Sequence, residues 1–426
     1  MRWIRAVRRG ILAAAIMLAG YSDVAQRPVE PSAEGRGPLT FVTAGDLTRY
    51  LAPLVDDWNG GHPGERVTLV ELPDSADETR AQMLSELRSG SSRFDVLNLD
   101  VAWTSEFAAA GLISPLDRDR FELDAFLRPV VDTATFDGRL YAVPYVTNAG
   151  LLYYRKDVLD AAGETPPRTW AELARQARTL APRHGLEGYA GQFLPYEGLT
   201  VNVTEAIQSA GGTVLRDDGT TVAVDSDAAR AGLAFLADGL REGWIPAEAL
   251  RYKEEESRAA FEEGRLLFLR NWPYVYTDAN GPGSKVAGRI GAVPLPGLDG
   301  PGTSVLGGSN LAVSARSRNA ATAADFIAYL TSEPVQRQVL TRGALPPVRA
   351  SLYDDPTLVA AHPYLPILRE SVLAAVPRPK SARYDQVSLV VQAIGQDVLA
   401  LRDTPEEAVR RLTRELGAIS GGSRSS

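Results

Sequence analysis

The chain reads as an α/β protein built of two α/β units. Three observations predict this. Residues 39–99 alternate strand, helix, strand, helix, strand, which implies a parallel sheet with helices on its faces. A second α/β unit begins after residue 150, and Asn148-Ala149-Gly150 between the two permits a sharp change of direction. The length, 426 residues with 45% hydrophobic and 23% charged, is ample for more than one core.

The elements follow in order. Arg2, Arg5, Arg8 and Arg9 precede a short apolar run, Ile11 to Ala19, so residues 1–20 read as an export signal too short to span a membrane. Residues 21–37, rich in Pro, Gly, Ser and charge, read as a flexible tether. Leu39 to Thr43 is the first strand, and a helix follows from about Leu47 to Asn59. Val67 to Leu72 and Phe94 to Leu99 are the next strands, with a helix over Asp77 to Arg88 between them. Leu151 to Tyr154 opens the second unit. Thr169 and Glu172 have the spacing of a capping box at the next helix start. Helices are expected near 197–210, 227–242 and 254–263. Leu266 to Leu269 has the length of one buried strand, with further strands at 289–294 and 304–313. The remainder is helical, and residues 420–426 read as a disordered tail.

Composition excludes several chemistries. A net charge of -8, a pI near 5.2 and no basic block argue against nucleic acid and against an anionic membrane surface. There is no cysteine, so disulfides, zinc-thiolate sites, Fe–S clusters and thiol catalysis are excluded. His62, His184 and His362 form no ligand-spaced pair, and no phosphate-binding G-x-x-x-x-G-K-[ST] loop occurs. No metal and no cofactor are expected.

Candidate site residues come from strand ends. Ligands of parallel α/β sheets sit beyond the carboxyl ends of strands, where Asp46 and Asp100 fall. Each also suits capping the helix that follows. The 266–269 strand runs into Arg270-Asn271-Trp272-Pro273-Tyr274, and proline ends the ladder. Trp272 and Tyr274 offer flat apolar faces with one hydrogen-bonding handle each, a combination suited to sugars, although Trp272 equally suits a core.

Several stretches together resemble one family. Asp100-Val101-Ala102-Trp103, Tyr141 to Pro144, Asn148 to Asp157, Tyr196-Glu197-Gly198-Leu199, Arg270 to Tyr274, Leu306-Gly307-Gly308 and Val376-Pro377-Arg378-Pro379 with Tyr384 occur in the order seen in sugar-binding proteins of ABC importers. The maltose/trehalose-binding subgroup is most similar. The resemblance implies a periplasmic-binding-protein-like fold, a non-enzymatic monomer that closes on a sugar and delivers it to the permease outside the cytoplasm. It implies lobe one from 38–147 plus 308–346, lobe two from 148–307 plus 347–419, and a ligand cleft between the two lobes. It implies ligand contacts from Asp46, Asp100, Tyr145, Asn148, Glu197, Trp272, Tyr274, Gly308, Ser309 and Arg383. The Arg378/Arg383 spacing also suits plain surface charge. One departure stands out: relatives carry Trp after Gly-Gly, and here Ser309 follows. Leu18-Ala19-Gly20 resembles a lipoprotein signal, but Tyr21 stands where the lipid-bearing cysteine belongs. A secreted glycosidase using Asp100 and Glu197, or a sugar sensor for a membrane kinase, are the alternatives.

Overall fold

The computed structural model of the chain describes residues 35–421, apart from the side chains of Asp46 and Arg49. The expected export signal and most of the expected tether lie outside the described residues. The last tether residues are docked, contrary to expectation. Arg36 pairs with Glu65 at 2.7 Å and Asp325 at 2.6 Å, and the Gly37 N–H donates to Thr322 Oγ1.

In chain order the strands are β1 (Leu39–Ala44), β2 (Val67–Leu72), β3 (Val96–Asp100), β4 (Thr135–Phe136), β5 (Arg139–Leu140), β6 (Ala142–Ala149), β7 (Leu151–Arg155), β8 (Glu187–Ala190), β9 (Leu266–Asn271), β10 (Ile290–Pro294), β11 (Val305–Val313) and β12 (Val376–Pro377). The first sheet has the order β12-β11-β3-β1-β2, with β6 also on β11; the second has the order β10-β7-β9-β8. β1, β2 and β3 are parallel as expected, but β11 is antiparallel to both β3 and β6. The connectivity requires this. β3 and β6 run toward the second lobe, whereas β11 begins where the chain returns from it, so it must run the other way.

Each sheet has its own core. Phe41, Val42, Val96, Leu97 and Leu99 lie in the first; Leu151, Leu152 and Leu266 to Leu269 lie in the second. The expected lobe boundaries need two corrections. Asn148 and Ala149 still pair with β11, so the first crossing falls at Gly150. The segment after Pro346 was expected in lobe two, yet Val348, Leu352, Leu358, Leu365, Leu368 and Val372 pack into the first core. A bridge from Pro347 to Val146 and the Leu127 N–H on the Val348 carbonyl hold that segment to the first sheet. The second core takes the chain up again at Val387.

Local signals set the ends of elements. The Thr169/Glu172 capping box forms, with both reciprocal bonds, at the start of the Trp170–Thr179 helix. The final helix, Pro405–Gly421, extends into the expected disordered tail, whose residues 422–426 lie outside the described part. Gly150 is required by packing: a Cβ there would sit 2.7 Å from Arg270 Nη2.

Candidate functional site

Three strand or helix ends meet at the seam between the lobes. β3 delivers Asp100 from the first lobe. The Glu197–Ser209 helix presents Glu197 in its first turn, where the helix dipole favours a carboxylate. β12 and the residues after it carry the chain back across and deliver Arg378.

Arg378 is the centre of this arrangement. Its side chain is 2% exposed. Nη2 donates to Asp100 Oδ1 at 2.5 Å and Nη1 to Glu197 Oε1 at 2.6 Å, so one guanidinium ties a carboxylate from each lobe. Glu197 also accepts from the Tyr384 hydroxyl and from Ser388 Oγ at 2.6 Å. Asp100 Oδ1 accepts from the Ala102 N–H at 2.8 Å. Burial pushes the Asp100 carboxyl above its ordinary range; Arg378 opposes the shift and Glu197 adds to it. Asp77, from the Ala76–Arg88 helix of the first lobe, accepts from the Glu197 backbone N–H, a further link across the seam.

The seam keeps unused hydrogen-bonding capacity. Arg378 Nε and Ser309 Oγ are buried without a partner, and Ser309 lies directly across the ladder from Asp100. Thr147 Oγ1 is also without a partner, but Thr147 lies across from Gly308, on the face of the sheet opposite to Asp100. An unpaired buried polar atom costs about 1–3 kcal/mol.

Trp272 stands at the β9 end of the seam. It follows β9, which runs to Asn271, two residues beyond the expected end. Its ring lies against Gly307, where a Cβ would meet Cη2 at 3.0 Å, and Arg270 stacks over it at 4.1 Å. Asn148 is the ladder partner of Gly307 and is half-buried.

The expected residues therefore divide. Asp100, Asn148, Glu197, Trp272, Gly308 and Ser309 converge on the seam. Tyr274 begins the Tyr274–Ala279 helix and turns its hydroxyl to Glu255 at 2.7 Å. Tyr145 is 1% exposed in the first core, because both faces of β6 are covered there, and is not a cleft residue. Arg383 is corrected also: its guanidinium donates to the Ile419 carbonyl at 2.8 Å, on the last helix. The Asp46 side chain lies outside the described residues. Sequence reasoning gave the arginine role to the wrong residue. The signal was Pro377-Arg378-Pro379, since an arginine flanked by prolines is held in extended backbone. Nothing in the sequence announced Asp77 or Ser388. Among the described residues no cluster of histidines and carboxylates could hold a metal ion.

The chain shares this architecture with known proteins. The model of the bacterial extracellular solute-binding protein family matches residues 44–337. A probable ABC transporter-binding protein of Deinococcus radiodurans is 34% identical over 368 residues, 84% of this chain and 87% of that protein. The maltose-bound MalE3 of T. maritima superposes with a TM-score of 0.84 and 34% identity, covering 90% of this chain and 99% of that one. The GacH receptor of Streptomyces glaucescens, solved unliganded and with acarbose, gives a TM-score of 0.79 at 25% identity, covering 90% and 99%. With this two-lobed fold and these matches, the chain belongs to the bacterial extracellular solute-binding proteins.

Proposed function

We propose that this chain is the exported sugar-binding component of an ABC importer, taking an α-linked di- or oligosaccharide of maltose or trehalose type. The observation that carries the reading is Arg378 bonded to Asp100 from one lobe and Glu197 from the other, with Arg378 Nε and Ser309 Oγ left partnerless. Sugar hydroxyls donate and accept in pairs, and charged partners make their bonds roughly twice as strong as neutral ones. Trp272 supplies the apolar face for a ring. The maltose of one structural relative and the acarbose of another support the sugar class. Closure of the lobes buries the ligand, and the closed form is the one a permease reads. A glycosidase would need one carboxylic acid free to protonate a leaving group, whereas Arg378 holds both carboxylates.

The test is thermal unfolding of the purified protein with maltose, trehalose, acarbose and mannitol. A ligand at 100 times its Kd stabilises by about 2.7 kcal/mol. A rise with an α-glucoside that is absent in Arg378→Met supports the reading. No rise with any sugar overturns it.

A further inference from the structure

The second buried arginine, Arg270, has so far entered only as the cation over Trp272, and its carboxylate partner, Glu205, reaches the places where the chain changes lobes. The β6–β7 crossing passes through Gly150 and the return crossing enters β11 through Ser304 and Val305. Glu205 Oε1, from the second lobe, accepts from Ser304 Oγ at 3.0 Å and from the Val305 N–H at 3.1 Å. Ser304 Oγ accepts in turn from the Gly150 N–H at 2.6 Å. One carboxylate thus gathers two of the three crossings, those at Gly150 and Ser304. Arg270 holds that carboxylate with two bonds of 2.6 Å, and its own plane lies over the Trp272 ring.

We infer that Glu205 and Arg270 are positioning residues that anchor the Gly150 and Ser304 crossings to the second lobe and couple them to Trp272. The inference rests on the binding reading, since a hinge matters only if the lobes move. A displacement of Trp272 by a ring stacked on it moves the guanidinium on its other face. That guanidinium fixes Glu205, and Glu205 fixes the starting point of each crossing strand. Buried paired charges of this kind define one geometry, because any other leaves a charge unpaired.

The experiment uses inter-lobe distances. The chain has no cysteine, so Ser92→Cys and Ala171→Cys, exposed on lobes one and two, take a dye pair for single-molecule energy transfer. The distance distribution of the ligand-free protein is compared with those of Glu205→Gln and the milder Ser304→Ala. Asp95→Asn is the control, a carboxylate of the first lobe held by the Thr40 N–H and Ser317 and remote from either crossing. Broader distributions in Glu205→Gln and Ser304→Ala, with Asp95→Asn unchanged, support the inference. With maltose as probe, the Kd of Ser304→Ala rises about fivefold through lost coupling. Unchanged distributions in both variants, or equal broadening in Asp95→Asn, overturn it. If Glu205→Gln fails to fold, Ser304→Ala alone decides. Failure of maltose to bind the parent protein counts against the function proposed above, while the ligand-free distributions still decide the hinge.

Discussion

Arg270 and Arg378 are both buried guanidiniums gripped by glutamate, yet one sits within a lobe and the other between two. Arg270 is saturated: Nε and Nη2 bond Glu205 and Nη1 bonds Gln192 at 2.9 Å. Arg378 spends Nη1 and Nη2 on carboxylates from opposite lobes and leaves Nε without a partner. A saturated pair inside one body is scaffold, because every alternative costs desolvation without return. An unsaturated pair across a seam is exchangeable, because an incoming hydroxyl finds both a vacant donor and carboxylates able to accept. The same chemistry serves rigidity in one setting and, in the function proposed above, recognition in the other.

The largest effect that sharpens this contrast is on stability. Arg270→Met strands Glu205 in the second core and lowers unfolding free energy by about 3–5 kcal/mol, read by urea denaturation. Arg378→Met has a smaller effect in the same assay, since Glu197 keeps the Tyr384 and Ser388 hydroxyls as donors and Asp100, at 23% exposure, keeps the Ala102 N–H. Equal losses would break the distinction. Next comes affinity. Arg378→Lys keeps the charge but cannot reach two carboxylates with one planar fork, so maltose binding measured calorimetrically weakens about tenfold or more. An unchanged Kd would show that Arg378 ties the lobes together without contacting the ligand.

A subtler effect is on pH. Burial raises the Asp100 pKa in the folded state, so the folded form holds that proton more tightly than the unfolded chain. The group's contribution is therefore fully present below the ordinary carboxylate pKa and is lost as pH rises through the folded value. As pH rises above about 4, the melting temperature of the parent should fall relative to that of Asp100→Asn. A constant gap would show that Arg378 fully compensates Asp100. The smallest effect is that of Ser388→Ala, which removes one donor from Glu197 and costs about 1 kcal/mol in the denaturation assay.

Much of the fold was legible because it is written locally. Leu266 to Leu269 is apolar and of strand length, and Thr169 with Glu172 carries its capping signal within four positions. The site was legible where an element end delivers a side chain, as with Asp100 and Glu197. It was not legible where a contact depends on distant chain. Arg378 lies 278 positions from Asp100 and 181 from Glu197 along the chain, so no spacing rule connects them. Arg383 looked equivalent until the last helix supplied a carbonyl for it. The lobe boundary failed for a related reason. The apolar residues of 348–372 suit either core, and only pairing of Pro347 with Val146 selects the first.

Gly307 carries one consequence for anyone who would alter this protein. The indole of Trp272 rests where a methyl would have been, at a spacing of 3.0 Å that leaves no slack. The depth of the cleft is therefore gauged by an atom the chain omits. Gly307→Ala would act as a shim beneath the ring, lifting it by tenths of an ångström and narrowing the slot without touching any charged group. Selectivity between slender and bulky guests would then be adjustable from behind the wall, leaving the polar grip of the site as it is.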